Sequence, residues 1–165
     1  MTARMPRARF AFVAFVTSLA AQHSLAARAG TAVLEPTSGS NVKGEVTFSQ
    51  DGSRVRATGE ITGLTPGRHG LHLHEKRDCK GSDAARLFTP DAGKHGSPSG
   101  GERQVGDFGN VTANRSGAAT VDTTLTGVSL ASLMGKGIAV HAKANDEKSD
   151  PAGNAGARVA CGVVK

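Results

Sequence analysis

From Val33 to Val164 the chain is a succession of short segments in which apolar and polar residues alternate, separated by glycine-bearing turns. "VTF" at 46–48 and "TVDTTL" at 120–125 show period two, the spacing that sends alternate side chains to opposite faces of a strand. Eight segments rich in β-branched residues stand out: "TAVLEP", "VKGEVTFSQ", "VRATGEI", "GLHLHE", "GNVTANRSG", "AATVDTTLTG", "GKGIAVHAK" and "ARVACGVV". Tight turns are signalled by "SQDGS" at 49–53 and "ANRSG" at 113–117. No segment beyond the N-terminal stretch has helical periodicity. Short strands at this spacing predict an all-β fold, an antiparallel sandwich or barrel of about eight strands. Two stretches break the rhythm, residues 76–106 and 142–157, and read as long functional loops.

The first thirty residues follow another pattern. Arg4, Arg7 and Arg9 precede an apolar run from Phe10 to Ala21, and small residues follow it. That order predicts a cleaved export signal over residues 1–29, cut after Ala26 or Ala29, ahead of one domain over 30–165. The apolar run is shorter than the roughly 20 residues a membrane span needs, so no stable membrane anchor is expected. The arginine-bearing front suits a bacterial exporter, and a eukaryotic secretory route stays open. The mature protein is expected in a periplasm or outside the cell.

Removal of the signal changes the charge picture. The full chain carries +6, and cutting after Ala29 takes away four arginines and no acid, leaving +2. The basic character therefore belongs largely to the signal. With no basic stripe interleaved with aromatics, nucleic acid is not an expected partner.

Cys79 and Cys161 are the two cysteines. In an exported chain they read as one disulfide, with two free buried thiols as the alternative. "HGLHLHE" places three histidines within residues 69–74. His72 and His74 are two apart and share one face of a strand. A metal ion would satisfy two adjacent imidazoles, and two solvated histidines on an exposed face are the plainer reading. His141, in "IAVHAK", adds a third imidazole with similar apolar flanks.

Taken in order, "GLHLHE", Cys79, "KHG", "GDFGNV", "VHAKAND", "GNAGAR" and "ACGVV" resemble the copper–zinc superoxide dismutase family over nearly the whole chain after the signal, in a divergent, bacterial-type form. The resemblance implies a Greek-key β-barrel with its metals held outside the barrel by two long loops. It implies copper ligands at His72, His74 and His141, and zinc-site residues at His95 and Asp107. It makes Arg158 the residue that guides an anion to copper, Cys79 and Cys161 an intrasubunit disulfide, and His69 a structural histidine rather than a ligand. Superoxide is the implied substrate, converted to oxygen and hydrogen peroxide. A homodimer is compatible with the sequence, which does not fix the oligomeric state.

Three positions depart from the family pattern. Leu87, in "RLFTP", stands where the bridging histidine belongs. Gln104 stands where a further zinc histidine belongs, three residues before Asp107. Asn145, followed by Asp146, stands where the family has an aspartate that hydrogen-bonds rings of both metal sites. His95 and Asp107 alone are too few for a firm zinc site, and each also reads plainly as a loop histidine and a turn cap. Three neutral imidazoles suit Cu(I), which accepts low coordination. The expected cofactor is therefore copper, with zinc weak or absent. An exported copper-only dismutase of reduced activity is the first expectation. A non-enzymatic Cu(I)-binding or copper-delivery protein, and a metal-free domain of the same fold, are the alternatives.

Overall fold

The computed structural model describes residues 29–37, 39–79, 87–89, 104–150 and 152–165. Residues 1–28 of the expected export signal, and His95, lie outside the described residues. The predicted segments form eight strands: β1 (Ala29–Pro36), β2 (Lys43–Asp51), β3 (Arg54–Thr62), β4 (Gly67–His74), β5 (Asp107–Ala113), β6 (Ala119–Thr126), β7 (Gly137–His141) and β8 (Arg158–Val163). A four-residue helix, α1 (Leu130–Leu133), precedes β7 and was not evident from periodicity. Ser129 caps it by accepting from the Ser132 N–H.

The strands run in the order β5-β4-β7-β8-β1-β2-β3-β6, with every ladder antiparallel. Neighbours that are distant in sequence, β3 with β6 and β4 with β7, give the Greek-key crossovers. The sheet curls into a nearly closed barrel, and β5 and β6 face each other across the seam without a ladder. The β2–β3 turn falls where "SQDGS" predicts it, with Gly52 at φ +57 supplying the left-handed backbone.

The core is built from inward-facing residues of both halves, including Leu34, Val46, Phe48, Val55, Ile61, Leu71, Leu73, Val121, Leu125 and Ile138. Phe48 and Phe108 meet across it, with ring centroids 6.3 Å apart. On β4 the core takes Leu71 and Leu73, and on β7 it takes Ile138 and Val140. The intervening His72 and His74, and His141 at the end of β7, therefore belong to the opposite face. That face is also buried: β4 is inaccessible from His69 to His74, and β7 along its whole length. Imidazoles on the outside of the barrel are thus enclosed between the sheet and the chain that covers it.

Candidate metal centre

The register of β4 and β7 brings the three histidines together. His72 pairs with Ala139 and His74 with Gly137, which sets His141 diagonally across from His72. A register shift between Val140 and His141, where β7 meets Arg158 of β8, carries the third ring toward the other two. Ring centroids are 4.7 Å apart for His72 and His141, 5.9 Å for His74 and His141, and 6.2 Å for His72 and His74. One nitrogen from each ring lies within 4.8 Å of the others, all three residues being buried.

The orientations of His141 and His72 are set from behind. His141 Nδ1 donates to the Gly156 carbonyl at 2.8 Å, which leaves Nε2 as the inward atom. That Nε2 is buried without a hydrogen-bond partner, as expected of an atom meant for a metal. His72 has its Nε2 3.0 Å from the side-chain nitrogen of Asn145, so Nδ1 is the atom it can offer. With Asn145 donating to Nε2, the neutral ring carries its proton on Nδ1. An ion held at Nδ1 would need the ring proton on Nε2 instead, where Asp107 Oδ1 lies 3.8 Å away. His69 ties the cluster together from the side: its Nδ1 is 2.8 Å from the carbonyl oxygen of His141 and its Nε2 is 2.8 Å from that of Thr65. Gly70 permits the close packing behind His72, since a Cβ there would lie 2.9 Å from the Ala155 Cβ and 3.3 Å from the Asn145 Cβ.

His141 is held below the ordinary imidazole pKa. Burial is the main cause, the Gly156 carbonyl opposes it, and the positive charge of Arg158 adds to it. The neutral, ligating form is therefore favoured in the fold. A base with a depressed folded pKa takes up protons more readily in the unfolded chain. Its stabilising contribution is full above a pH of about 6.5 and declines as the pH falls from there toward the lower folded value. Urea titrations of metal-free protein at stepped pH should show this decline, and it should be smaller in His141→Gln. Equal pH dependence in the two proteins would contradict the assignment.

Arg158 is half-buried at the start of β8 and is paired with His141 on β7. Its Nη1 donates to the Asp78 carbonyl at 2.7 Å. Asp78 precedes Cys79, which is joined to Cys161 on β8 by a disulfide. The disulfide and the Arg158 contact thus fasten the start of the first long loop to the strand that carries the arginine. Leu87 is buried and forms an isolated bridge with His74, so a hydrocarbon side chain holds the bridging-histidine position. Gln104 has its side-chain oxygen buried without a hydrogen-bond partner.

Asp107 is fully buried, and its Oδ1 accepts from the Gly109 backbone at 2.9 Å and from Asn145 Nδ2 at 2.8 Å. It is thus a turn cap and, through Asn145, a partner of the network behind His72. Asp146, the acid next to Asn145, faces away. It accepts from the backbones of Ser149 and Lys148 and from the side chains of Ser149 and Asn154. The Ser149 contacts lead in holding its carboxyl well below the usual range.

A β-barrel that encloses three converging imidazoles on its outer face, beside an arginine fixed by a disulfide-anchored loop, is a metal-holding protein of defined class. The family model for copper/zinc superoxide dismutase (SODC) matches residues 42–164. Superoxide dismutase (Cu-Zn) 2 of Mesembryanthemum crystallinum is 41% identical over 136 residues, covering 75% of this chain and 87% of that protein. An extracellular superoxide dismutase (Cu-Zn) of Brugia pahangi is 40% identical over 147 residues, covering 81% and 73% respectively. Superoxide dismutase (Cu-Zn) 2 of Brassica juncea is 37% identical over 147 residues, covering 82% and 95%. The chain belongs to the copper/zinc superoxide dismutase family.

Proposed function

We propose that the protein is an exported, copper-only superoxide dismutase of reduced activity, converting superoxide to oxygen and hydrogen peroxide at His72, His74 and His141. The buried convergence of these three rings carries the reading. Copper fits the donor set: three imidazoles, one with an orphaned inward nitrogen, suit a borderline-soft ion that tolerates few ligands. When bound, copper supplies the one-electron chemistry that superoxide disproportionation needs. The chain's own residues do the rest. The rings fix the ion, and loops and sheet limit water around it. The Arg158 guanidinium, always charged, attracts the small anion.

Reduced activity follows from Leu87. In the family pattern the bridging histidine holds a proton in the reduced state, and a leucine has none to give, so protons for peroxide must arrive through water. Export is supported by the arginine-apolar-small order of residues 1–29 and by the extracellular relative in Brugia pahangi. Among the described residues no helix is long and apolar enough to cross a membrane.

The same hydrocarbon favours a second reading, a Cu(I)-binding or delivery protein, because a three-imidazole site without a fourth ligand stabilises the reduced ion. Superoxide decay followed on copper-loaded protein separates the two. As a dismutase the protein loses about 10-fold in rate on Arg158→Ala, with a flatter salt dependence, while copper content stays unchanged. A parent protein with no activity, or a rate that ignores Arg158, contradicts the enzymatic reading.

A further inference from the structure

The family's second metal is poorly served at Gln104 and Asp107. Gln104 offers an amide oxygen where the pattern has an imidazole, a poor exchange for an ion that prefers nitrogen and sulfur. One oxygen of Asp107 already receives two N–H donors, from Gly109 and Asn145.

Asn145 is 1% exposed and its amide has a fixed orientation. Oδ1 accepts the Glu147 N–H at 2.6 Å, which turns Nδ2 toward Asp107 Oδ1 at 2.8 Å and His72 Nε2 at 3.0 Å. Its backbone is clamped by a reciprocal pair with Asn110: the Asn145 N–H donates to Asn110 Oδ1 at 2.7 Å, and Asn110 Nδ2 donates to the Asn145 carbonyl at 3.0 Å. An aspartate of the same shape, as the family pattern has it, would set a second carboxylate oxygen 2.8 Å from Asp107 Oδ1 inside the protein. Two carboxylates at that range need a cation close by or must share a proton, and either is a cost the amide avoids.

We infer that Asn145 is the chain's replacement for the second metal: its amide N–H donates to Asp107 Oδ1 where an aspartate would repel it. Asn145 is a positioning residue, because it touches a ligand ring and not the substrate. The loss of the zinc histidine at Gln104 and the change from carboxylate to amide at 145 are then two halves of one adjustment. The inference rests on reading Asp107 as a former zinc ligand, and its main test needs no copper chemistry.

The test compares the chelator-treated parent with Asn145→Asp, Asp107→Asn and the double variant. Asn145→Asp should lower the thermal midpoint by about 10 °C, the effect of an unpaired buried charge in a chain of this size. Asp107→Asn alone should shift it little, since an amide oxygen keeps both acceptor roles. The double variant should recover part of the loss, because only one carboxylate remains, although an amide at position 107 cannot serve both the Gly109 N–H and a carboxylate at position 145 from one atom. In copper-loaded samples the Cu(II) electron paramagnetic resonance spectrum should broaden in Asn145→Asp and return in the double variant. Stoichiometric zinc chloride should leave the parent's midpoint unchanged. An Asn145→Asp variant as stable as the parent, a double variant no better than Asn145→Asp, or a parent stabilised by zinc would each overturn the inference. A parent without dismutase activity would leave it standing, and its failure would leave the copper reading intact.

Discussion

Replacing His141 with alanine is expected to weaken copper binding by about 100- to 1,000-fold, a single ligand's share of a metal site worth on the order of 10–16 kcal/mol. The effect should exceed that of any other single imidazole, for two structural reasons. His141 comes from β7 while its two partners share β4, so its loss leaves both remaining donors on one strand. Its Nε2 is also the nitrogen already oriented by a bond on the far side of the ring, from Nδ1 to Gly156. The remaining pair, His72 and His74, has centroids 6.2 Å apart and presents one side of a coordination sphere only. Competition against a Cu(I) chelator of known affinity measures the change. A variant that holds copper as tightly as the parent would mean that the ion sits elsewhere.

Breaking the Cys79–Cys161 disulfide should have the largest effect on stability. The bond closes a loop with a sequence separation of 82, and in the chain-entropy model such a closure stabilises by about 4.5 kcal/mol. For a domain whose net stability is on the order of 5–15 kcal/mol, that is a large fraction. Function should suffer as well. Asp78, whose carbonyl receives Arg158 Nη1, is the residue before Cys79, so a released loop takes away the support of the side chain proposed to attract the anion. Paired Cys79→Ser and Cys161→Ser substitutions, compared with the parent in urea, should therefore show a lower unfolding free energy. In copper-loaded protein they should show a rate less dependent on Arg158. Unchanged stability would show that the loop is held by other contacts.

The strands were legible because period two survives where one face meets solvent. β2 and β6 alternate buried and exposed residues much as "VTF" and "TVDTTL" suggest. β4 and β7 carry no such alternation in their burial, because the covering chain encloses their outer faces too. Their histidines looked equally compatible with an exposed face, and only the resemblance and then the register singled out the metal reading. α1 escaped notice because four residues are too few to show a helical period.

The departure at Asn145 could be seen in the sequence, but its consequence could not. Asn145 and Asp107 are 38 residues apart, and the meaning of the amide depends on which end faces the carboxylate. Its neighbour Asp146 does carry a carboxylate. The structure instead spends it on tying down its own loop, through Ser149 and Asn154.

X-ray absorption at the copper edge of the loaded, chelator-washed protein tests the central claim most directly, since it counts the imidazoles around the ion. The account predicts one copper per chain with three imidazole nitrogens, falling to two in His141→Ala reconstituted at high copper. Fewer than three imidazoles in the parent, or no copper retained after washing, would contradict it.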